Sequence, residues 1–286
     1  MENQIEIEFS RNIGLLSEAE QARLLDAKVA VAGAGGVGGI HLLTLARLGV
    51  GKFHVADLDV FEPVNISRQF GAFHSTSGRH KAEVLAEMIR DINPRADITL
   101  FPQGVGPENV DAFLEGAEVF VDGIEFFEID IRRLLFHRAR SKGIYALTAA
   151  PLGFGATLQV FAPQGMSFDD YFGIDDRMDP IEKLAAFATG LAPRPYHLSY
   201  LDKRKVSLKE RKGPAVAPAC TLAASLVATE VVKIITGKGV SKPVPHYLQI
   251  DMLRGKTHRG YVWGGGKNPL QRILRHFILR AMRQAQ

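Results

Sequence analysis

The chain has 286 residues, of which 46% are hydrophobic and 23% are charged, a balance typical of a globular protein with room for one large α/β domain or two small ones. A formal net charge of +4 is too small to indicate nucleic-acid binding, and a single cysteine, Cys220, excludes a disulfide framework and a four-cysteine zinc site. The acidic, polar start of the chain is unlike a signal peptide, and no apolar run reaches about 18 residues, so we expect a cytoplasmic protein without a transmembrane helix.

Strand and helix signals alternate through the first half of the chain. Ser17 and Glu20 form a capping-box pattern that opens a short helix. Apolar runs bounded by turn residues predict buried strands at 28–34, 52–57, 97–101, 118–122 and 144–148. Helical patterns separate them at 38–48, 79–92, 108–115 and 128–142. This rhythm predicts a Rossmann-like, doubly wound, mostly parallel sheet.

The regular alternation of strand and helix signals ends after a strand predicted at 155–161. Residues 163–212 lack clean periodicity and are interpreted as a crossover excursion that shapes a substrate groove, with a helix near 181–188. An apolar helix at 218–236 and a closing antiparallel pair at 246–250 and 257–262 follow. We therefore expect one domain over 1–262, and a glycine hinge with a basic amphipathic helix over 263–286.

A glycine-rich turn follows the first predicted strand. The turn over 33–38 matches the G-x-G-x-x-G pattern with Gly33, Gly35 and Gly38, and Gly36 adds a fourth glycine. In this pattern the backbone and a helix N-terminus approach a phosphate. Asp57 follows Gly38 by about 20 residues, where dinucleotide enzymes hold the ribose hydroxyls. Because every nucleoside has a ribose, these residues alone do not separate NAD from ATP.

Polar residues after the second strand narrow the choice of nucleotide. A triphosphate needs several cationic or amide donors along its length. Asn65, Arg68, Gln69 and Lys81 supply such donors within one loop and the start of one helix. This set favours ATP over a redox dinucleotide, and an NAD-dependent oxidoreductase is the alternative from another class.

The same residues resemble the ThiF/MoeB/HesA family, relatives of the ubiquitin-activating enzymes, over about residues 9–262. Further matching motifs are Phe9-Ser10-Arg11-Asn12, Asp57-x-Asp59, Ile92-Asn93-Pro94, Asp122-Gly123 and Ala228-Thr229-Glu230-Val231-Val232-Lys233. The resemblance implies a homodimer that uses ATP and Mg²⁺ to adenylate a carboxylate. The substrate it implies is the C-terminus of a small ubiquitin-like or sulfur-carrier protein or of a peptide, and a small-molecule or tRNA-linked carboxylate is the alternative within the family.

The resemblance also implies roles for individual residues. The glycine turn would lie against the nucleotide, and Asp57, followed by Asp59, would hold the ribose. The phosphates would be contacted by Asn65, Arg68 and Lys81, with Gln69 supporting the loop. Arg11 would reach the γ-phosphate of the neighbouring subunit, and Asp122 would end a strand near the site. Glu125 and Phe126 stand where the family has an Asp-Asn pair whose Asp helps to hold Mg²⁺, and this departure leaves a non-catalytic binding subunit as a further alternative.

Several family features are missing from the sequence. There is no Cys-x-x-Cys pair, so no zinc is expected, and residues 163–212 contain no cysteine for a thioester. Cys220 at the start of the apolar helix is interpreted as a buried structural thiol, with activation at a helix N-terminus as the alternative. We predict adenylation without a thioester. The basic final helix either packs on its own domain or a dimer mate, or contacts a membrane surface or a partner.

Overall fold

The structure is a computed structural model and describes residues 7–284. The chain divides into two compact units. The first unit comprises the described part of Met1–Ile124 together with Ala224–Ser241, and the second comprises Glu125–Ala223 together with the described part of Lys242–Gln286.

A parallel sheet forms the centre of the first unit. Its strands are β1 (Lys28–Ala32), β2 (Lys52–Ala56), β3 (Asp97–Phe101) and β4 (Val119–Asp122). They lie in the order β3-β2-β1-β4, with β1 paired in parallel to β2 on one side and to β4 on the other. The strand order therefore reverses between β1 and β4, and the carboxyl ends at such a point form the usual ligand crevice of a doubly wound sheet.

Amphipathic and apolar helices connect these strands. They are α1 (Glu18–Asp26), α2 (Gly36–Arg47), α3 (Lys81–Ile92) and α4 (Val110–Phe113). Helix α1 begins with the predicted capping box, because Glu20 N–H donates to Ser17 Oγ and Ser17 N–H donates to Glu20 Oε2. The apolar helix α2 is buried over most of its surface, and burial lowers the pKa of His41 to about 3, so this histidine packs as a neutral side chain.

Antiparallel strands dominate the second unit. They are β5 (Tyr145–Thr148), β6 (Pro151–Leu152), β7 (Gly155–Phe161), β8 (His246–Asp251) and β9 (Lys256–Tyr261). Strand β7 pairs with β5, β6 and β8, and β9 pairs with β8, all antiparallel. The predicted α/β class, Rossmann-like and mostly parallel with a closing antiparallel portion, is confirmed.

Helices of the second unit pack around an aromatic cluster. They are α5 (Ile129–Ser141), α6 (Phe168–Phe172), α7 (Pro180–Leu191) and α9 (Pro269–Gln284). Phe168 and Phe172 of α6 lie 4.6 Å apart between ring centroids and also contact Phe136 of α5 and Phe187 of α7. Such ring pairs bury a large apolar area, so the short helix α6 is fixed by its aromatic side chains rather than by its length.

The apolar helix α8 (Ala217–Thr236) is long and apolar enough to cross a membrane by length and composition alone. However, 56% of its most apolar window is buried inside the protein, as in a core helix. This segment is the apolar helix predicted over 218–236, and no transmembrane helix was expected there because polar residues, among them Thr221, Glu230 and Lys233, interrupt the apolar run.

Most predicted elements are confirmed to within a few residues, including the closing antiparallel pair. The excursion over 163–212 contains the predicted helix as the longer α7, and it also contains α6, which the sequence analysis missed because five residues carry too little periodicity. Gly264–Gly266 lead through a short 3-10 turn into α9. The division at residue 262 stays a prediction.

An ion-pair network joins α5 to α6. Arg133 donates to both carboxylate oxygens of Asp169 at 2.9 and 2.7 Å, and His137 Nε2, one helical turn further on, lies 3.0 Å from the same carboxylate. Burial opposes ionisation of Asp169, but these two donors lower its pKa to about 2. The same contact raises the pKa of His137 above its ordinary value of 6.5.

The His137–Asp169 contact predicts a pH-dependent stability. Because the folded pKa of His137 is raised, its contribution is fully present below pH 6.5 and is lost as the pH rises through the folded pKa. His137→Gln should therefore lower the free energy of unfolding at pH 5.5 by at most about 1 kcal/mol, since the imidazole is half exposed. Urea unfolding of both proteins at pH 5.5 and 8.5 measures the difference, and a deficit of equal size at both pH values would contradict the assignment.

Candidate active site

Three glycines pack against one another at the carboxyl ends of β1 and β4. A Cβ atom on Gly38 would overlap the carbonyl oxygen of Gly33, and one on Gly33 would overlap the backbone of Gly123. Gly33 also has a φ of +87°, a left-handed conformation that side chains other than glycine rarely adopt. This contact lets α2 begin directly above the end of β1, so that its N-terminal N–H groups face the crevice.

Asp57 connects the glycine turn to the end of β2. Its carboxylate accepts hydrogen bonds from Ala34 N–H at 2.6 Å and from Asp59 N–H at 2.8 Å. Burial nevertheless raises the pKa of Asp57, because these two hydrogen bonds offset only part of the desolvation. The carboxylate is thus held beside the turn with lone pairs left for a ligand hydroxyl, as the predicted ribose contact requires.

Lys81, the first residue of α3, is held by Asp59. Its ammonium lies 3.0 Å from Asp59 Oδ2, and Lys81 N–H donates to the Asp59 carbonyl oxygen at 3.0 Å. The lysine side chain is 8% exposed, whereas that of Asp59 is 58% exposed. A buried ammonium needs a negative partner, and phosphate oxygens meet the same need as the Asp59 carboxylate.

The loop that follows β2 is braced by its own side chains. Asn65 is buried and its Oδ1 accepts from Glu62 N–H at 3.0 Å, while Arg68 is half-buried and donates to the Val64 carbonyl at 3.1 Å. Gln69 is buried with its amide near Gly35, and its Oε1 has no hydrogen-bond partner within residues 7–284. The Gln69 amide thus packs beside the turn, which is consistent with its predicted role of supporting the loop.

Arg11 is exposed on an anchored segment. It lies in the 3-10 helix Ile7–Asn12, where Phe9 is buried and Asn12 donates to Gln21 and to the Leu48 carbonyl. The guanidinium has no acidic partner in the described part of the chain. The segment therefore presents a cation outward from a fixed backbone, as the predicted contact with a neighbouring subunit requires.

The two acidic positions after β4 have different surroundings. Asp122 is buried, and its carboxylate accepts from Ile124 N–H at 3.1 Å. Glu125 belongs to the second unit and is exposed, with Phe127 N–H donating to it at 3.0 Å and Arg211 3.7 Å away. Among residues 7–284 there is no group of three acidic, histidine or cysteine side chains arranged around a metal. The role of Glu125 as a magnesium ligand stays a prediction.

Two arginines brace the segment that carries Glu125. Arg132 is buried, stacks 4.4 Å from the centre of the Phe187 ring and donates to the Glu125 carbonyl at 3.1 Å. Arg211 of the crossover segment has a φ of +53° and pairs with Glu128. Neither arginine was predicted from the sequence, and nor was the packing of Gly123 against the turn. The Asp122-Gly123 dipeptide was the available signal for Gly123, whereas no local pattern marked the arginines.

A model of the ThiF family matches residues 9–263. The chain belongs to the ThiF family. The resemblance stated from the motifs is therefore confirmed over the range in which they occur.

Known members of the family match parts of the chain. The SAMP-activating enzyme E1 of Haloferax volcanii is 34% identical over 145 residues, which are 51% of this chain and 53% of that protein. The adenylyltransferase and sulfurtransferase UBA4 of Candida glabrata is 27% identical over 76% of this chain and 44% of its own length. The tRNA threonylcarbamoyladenosine dehydratase of Escherichia coli is 36% identical over 41% of this chain and 44% of its own. The chain thus spans about half the length of the curated relatives it matches.

Solved structures of the family share the fold. The crystal structure of E. coli MccB with ATP is 20% identical, with a TM-score of 0.67 over 93% of this chain and 73% of that one. The structure of PaaA is also 20% identical, with a TM-score of 0.64 over 85% of this chain and 66% of that one. At this level of identity the likeness shows the ThiF fold.

The contact between Gly38 and Gly33 predicts that one added methyl group strongly lowers the stability of the protein. Gly38→Ala should destabilise the protein by about 3 kcal/mol or more, because the overlap is with backbone that cannot move aside. Gly213→Ala is the matched control, since nothing lies within 4 Å of its added Cβ, and its effect should stay below about 1 kcal/mol. Urea unfolding measures both, and equal stability of the two variants would contradict the packing described.

Proposed function

We propose that the protein adenylates a carboxylate with ATP. The observation that carries this proposal is the buried ammonium of Lys81, which lies against Asp59 in a loop system that also places Asp57 on the glycine turn. A redox dinucleotide needs no cation that can bind the end of a triphosphate, whereas ATP does. Family membership supports the same choice.

The reaction follows from these parts. A carboxylate oxygen of the substrate attacks the α-phosphorus of ATP, the bond to the bridging oxygen breaks, and pyrophosphate leaves with that electron pair. The product is an acyl-adenylate. The protein forms no covalent bond, so its contribution is to align the two reactants and to stabilise the negative charge of the phosphates. Lys81 and Arg68 are the cations we assign to that task, with the α2 N-terminus at the glycine turn.

The substrate we propose is the C-terminus of a ubiquitin-like or sulfur-carrier protein, or of a peptide. The names of the relatives support this, because one activates SAMP and another is an adenylyltransferase and sulfurtransferase. A tRNA-linked carboxylate is the second candidate, supported by the dehydratases that match the chain. Cys220 is the sole cysteine of the chain and is buried. We therefore propose that the reaction proceeds without a thioester on this chain.

Magnesium is proposed as the partner of the ATP phosphates. Glu125 offers one hard oxygen ligand, and Mg²⁺ in proteins is commonly held by one or two carboxylates, substrate phosphates and water. Bound there, the ion would neutralise phosphate charge. Pyrophosphate exchange at an unchanged rate after chelation of divalent cations would remove magnesium from the proposal.

The exchange of labelled pyrophosphate into ATP tests the proposed activity, with synthetic carrier C-termini, short peptides and tRNA as substrates. Lys81→Ala and Arg68→Ala should each lower the exchange rate by about 100-fold or more, since each removes a cation placed at the phosphates. Arg90→Ala, an exposed arginine further along α3, is the matched control and should retain wild-type exchange. Full exchange in both site variants would contradict the proposed site, and the substrate that supports exchange separates the two candidates.

A homodimer in the cytoplasm is the proposed working form. Arg11 is exposed on an anchored segment and would complete the site of the partner subunit as a cation at the γ-phosphate. Cell fractionation tests the compartment, and recovery of the protein in neither the cytoplasm nor the membranes that face it would contradict the proposal.

Subunit mixing tests the role of Arg11. Arg11→Ala and Lys81→Ala should each be inactive alone. An equimolar mixture of the two variants, refolded together so that their subunits exchange, should regain about a quarter of wild-type activity. Half of the dimers are then mixed, and one of the two sites in each mixed dimer is intact. The rate of pyrophosphate exchange, measured after co-refolding, gives the recovered activity. A mixture as inactive as its components would contradict a site shared between subunits.

A further inference from the structure

The final helix lies beyond the part of the chain that the family model matches, which ends at residue 263. Residues 264–286 contain five lysines or arginines and no acidic residue: Lys267, Arg272, Arg275, Arg280 and Arg283. Nothing in the proposed adenylation chemistry uses this helix. Its charge and its apolar side chains therefore need a separate explanation.

One side of α9 is fixed to the body of the second unit. Arg275 donates to the Gly173 carbonyl at 2.8 Å. Arg283 reaches Asp179 at 2.9 Å and Glu182 at 3.2 Å, at the start of α7, and the two helices pack together. The helix is therefore a folded part of the protein with a defined outer side.

An apolar row runs along that outer side. Leu270, Ile273 and Phe277 are 74%, 55% and 63% exposed. Their spacing of three and four residues places them on one face of the helix. Single exposed apolar residues are ordinary, but three large ones in a row on a packed helix mark a contact surface.

A basic band borders the apolar row. Arg272, His276 and Arg280 are exposed on the neighbouring face, and neither arginine has an acidic partner among the residues that the structure describes. Trp263 and Tyr261 of the same unit are 69% and 55% exposed. An apolar row beside a basic band is the arrangement of a helix that lies in a lipid interface, and exposed Trp and Tyr side chains are enriched in proteins at the same interface.

We propose that α9 binds an anionic lipid surface, with Leu270, Ile273 and Phe277 entering the headgroup boundary and Arg272 and Arg280 contacting lipid phosphates. Antiparallel pairing with a second copy of the helix would bring two bands of like charge together, whereas an anionic surface complements the band. A flat anionic surface suits a single convex row, which offers no groove to a folded partner. One helix of this size gives weak, reversible binding.

Co-sedimentation of the full chain with vesicles tests the proposal. The protein should bind vesicles of phosphatidylglycerol and phosphatidylcholine, and should not bind vesicles of phosphatidylcholine alone. The double variants Ile273→Asp with Phe277→Asp, and Arg272→Glu with Arg280→Glu, should each partition at least about tenfold less. Leu253→Asp, in the turn between β8 and β9, and Lys256→Glu, at the start of β9, are the controls. Both residues are exposed in the same unit, and both variants should bind as the wild type does.

Four results would overturn the proposal. The wild type could fail to sediment with anionic vesicles, or the apolar double variant could sediment as well as the controls. Alternatively, binding to poly-glutamate without vesicle binding would assign the face to an acidic protein. Light scattering measures the oligomeric state of the double variant Ile273→Asp with Phe277→Asp. A change in that state would assign the apolar row to a contact between copies of the chain. Circular dichroism verifies that each variant is folded, and the apolar double variant should retain pyrophosphate exchange in solution.

Discussion

The close packing of Gly33, Gly38 and Gly123 is the constraint on which the rest of the site depends. It brings the ends of β1 and β4 and the start of α2 within backbone contact, at the point where the strand order reverses. Side chains are excluded there, so the space above the turn stays open and the N–H groups of α2 point into it. Asp57 is fixed by an N–H group of this same turn, so displacement of the glycines would also displace the carboxylate.

The charged side chains beside the glycine turn already have compensating partners before any nucleotide binds. Asp59 neutralises the buried Lys81, and Asp57 is stabilised by backbone N–H groups while burial raises its pKa. A triphosphate can replace Asp59 as the partner of the lysine ammonium without leaving an unpaired buried charge. Asp59 is exposed, so water can solvate its carboxylate when the lysine binds the phosphate. The arrangement therefore makes ATP binding an exchange of partners, with little cost in desolvation.

The sequence predicted the parallel half of the fold well, because buried strands and glycine turns are local signals. The placement of Lys81 was less predictable. The motif indicated a phosphate contact, but its pairing with Asp59 depends on how α3 meets β2, which no local pattern records. Arg132 and Arg211 were missed for the same reason, since they are far apart in sequence and meet one segment only after folding. The short helix α6 was not predicted because aromatic packing, rather than helical periodicity, fixes it.

Direct nucleotide binding tests the central claim that the glycine turn, Asp57 and Lys81 form a site for ATP. Isothermal titration of the purified full chain with ATP and, separately, with NAD⁺ and NADH makes the comparison under one set of conditions. The account predicts saturable ATP binding that Lys81→Ala abolishes, with no heat from either form of the dinucleotide. Tight binding of NAD⁺ or NADH without binding of ATP would contradict the account and would favour a dehydrogenase.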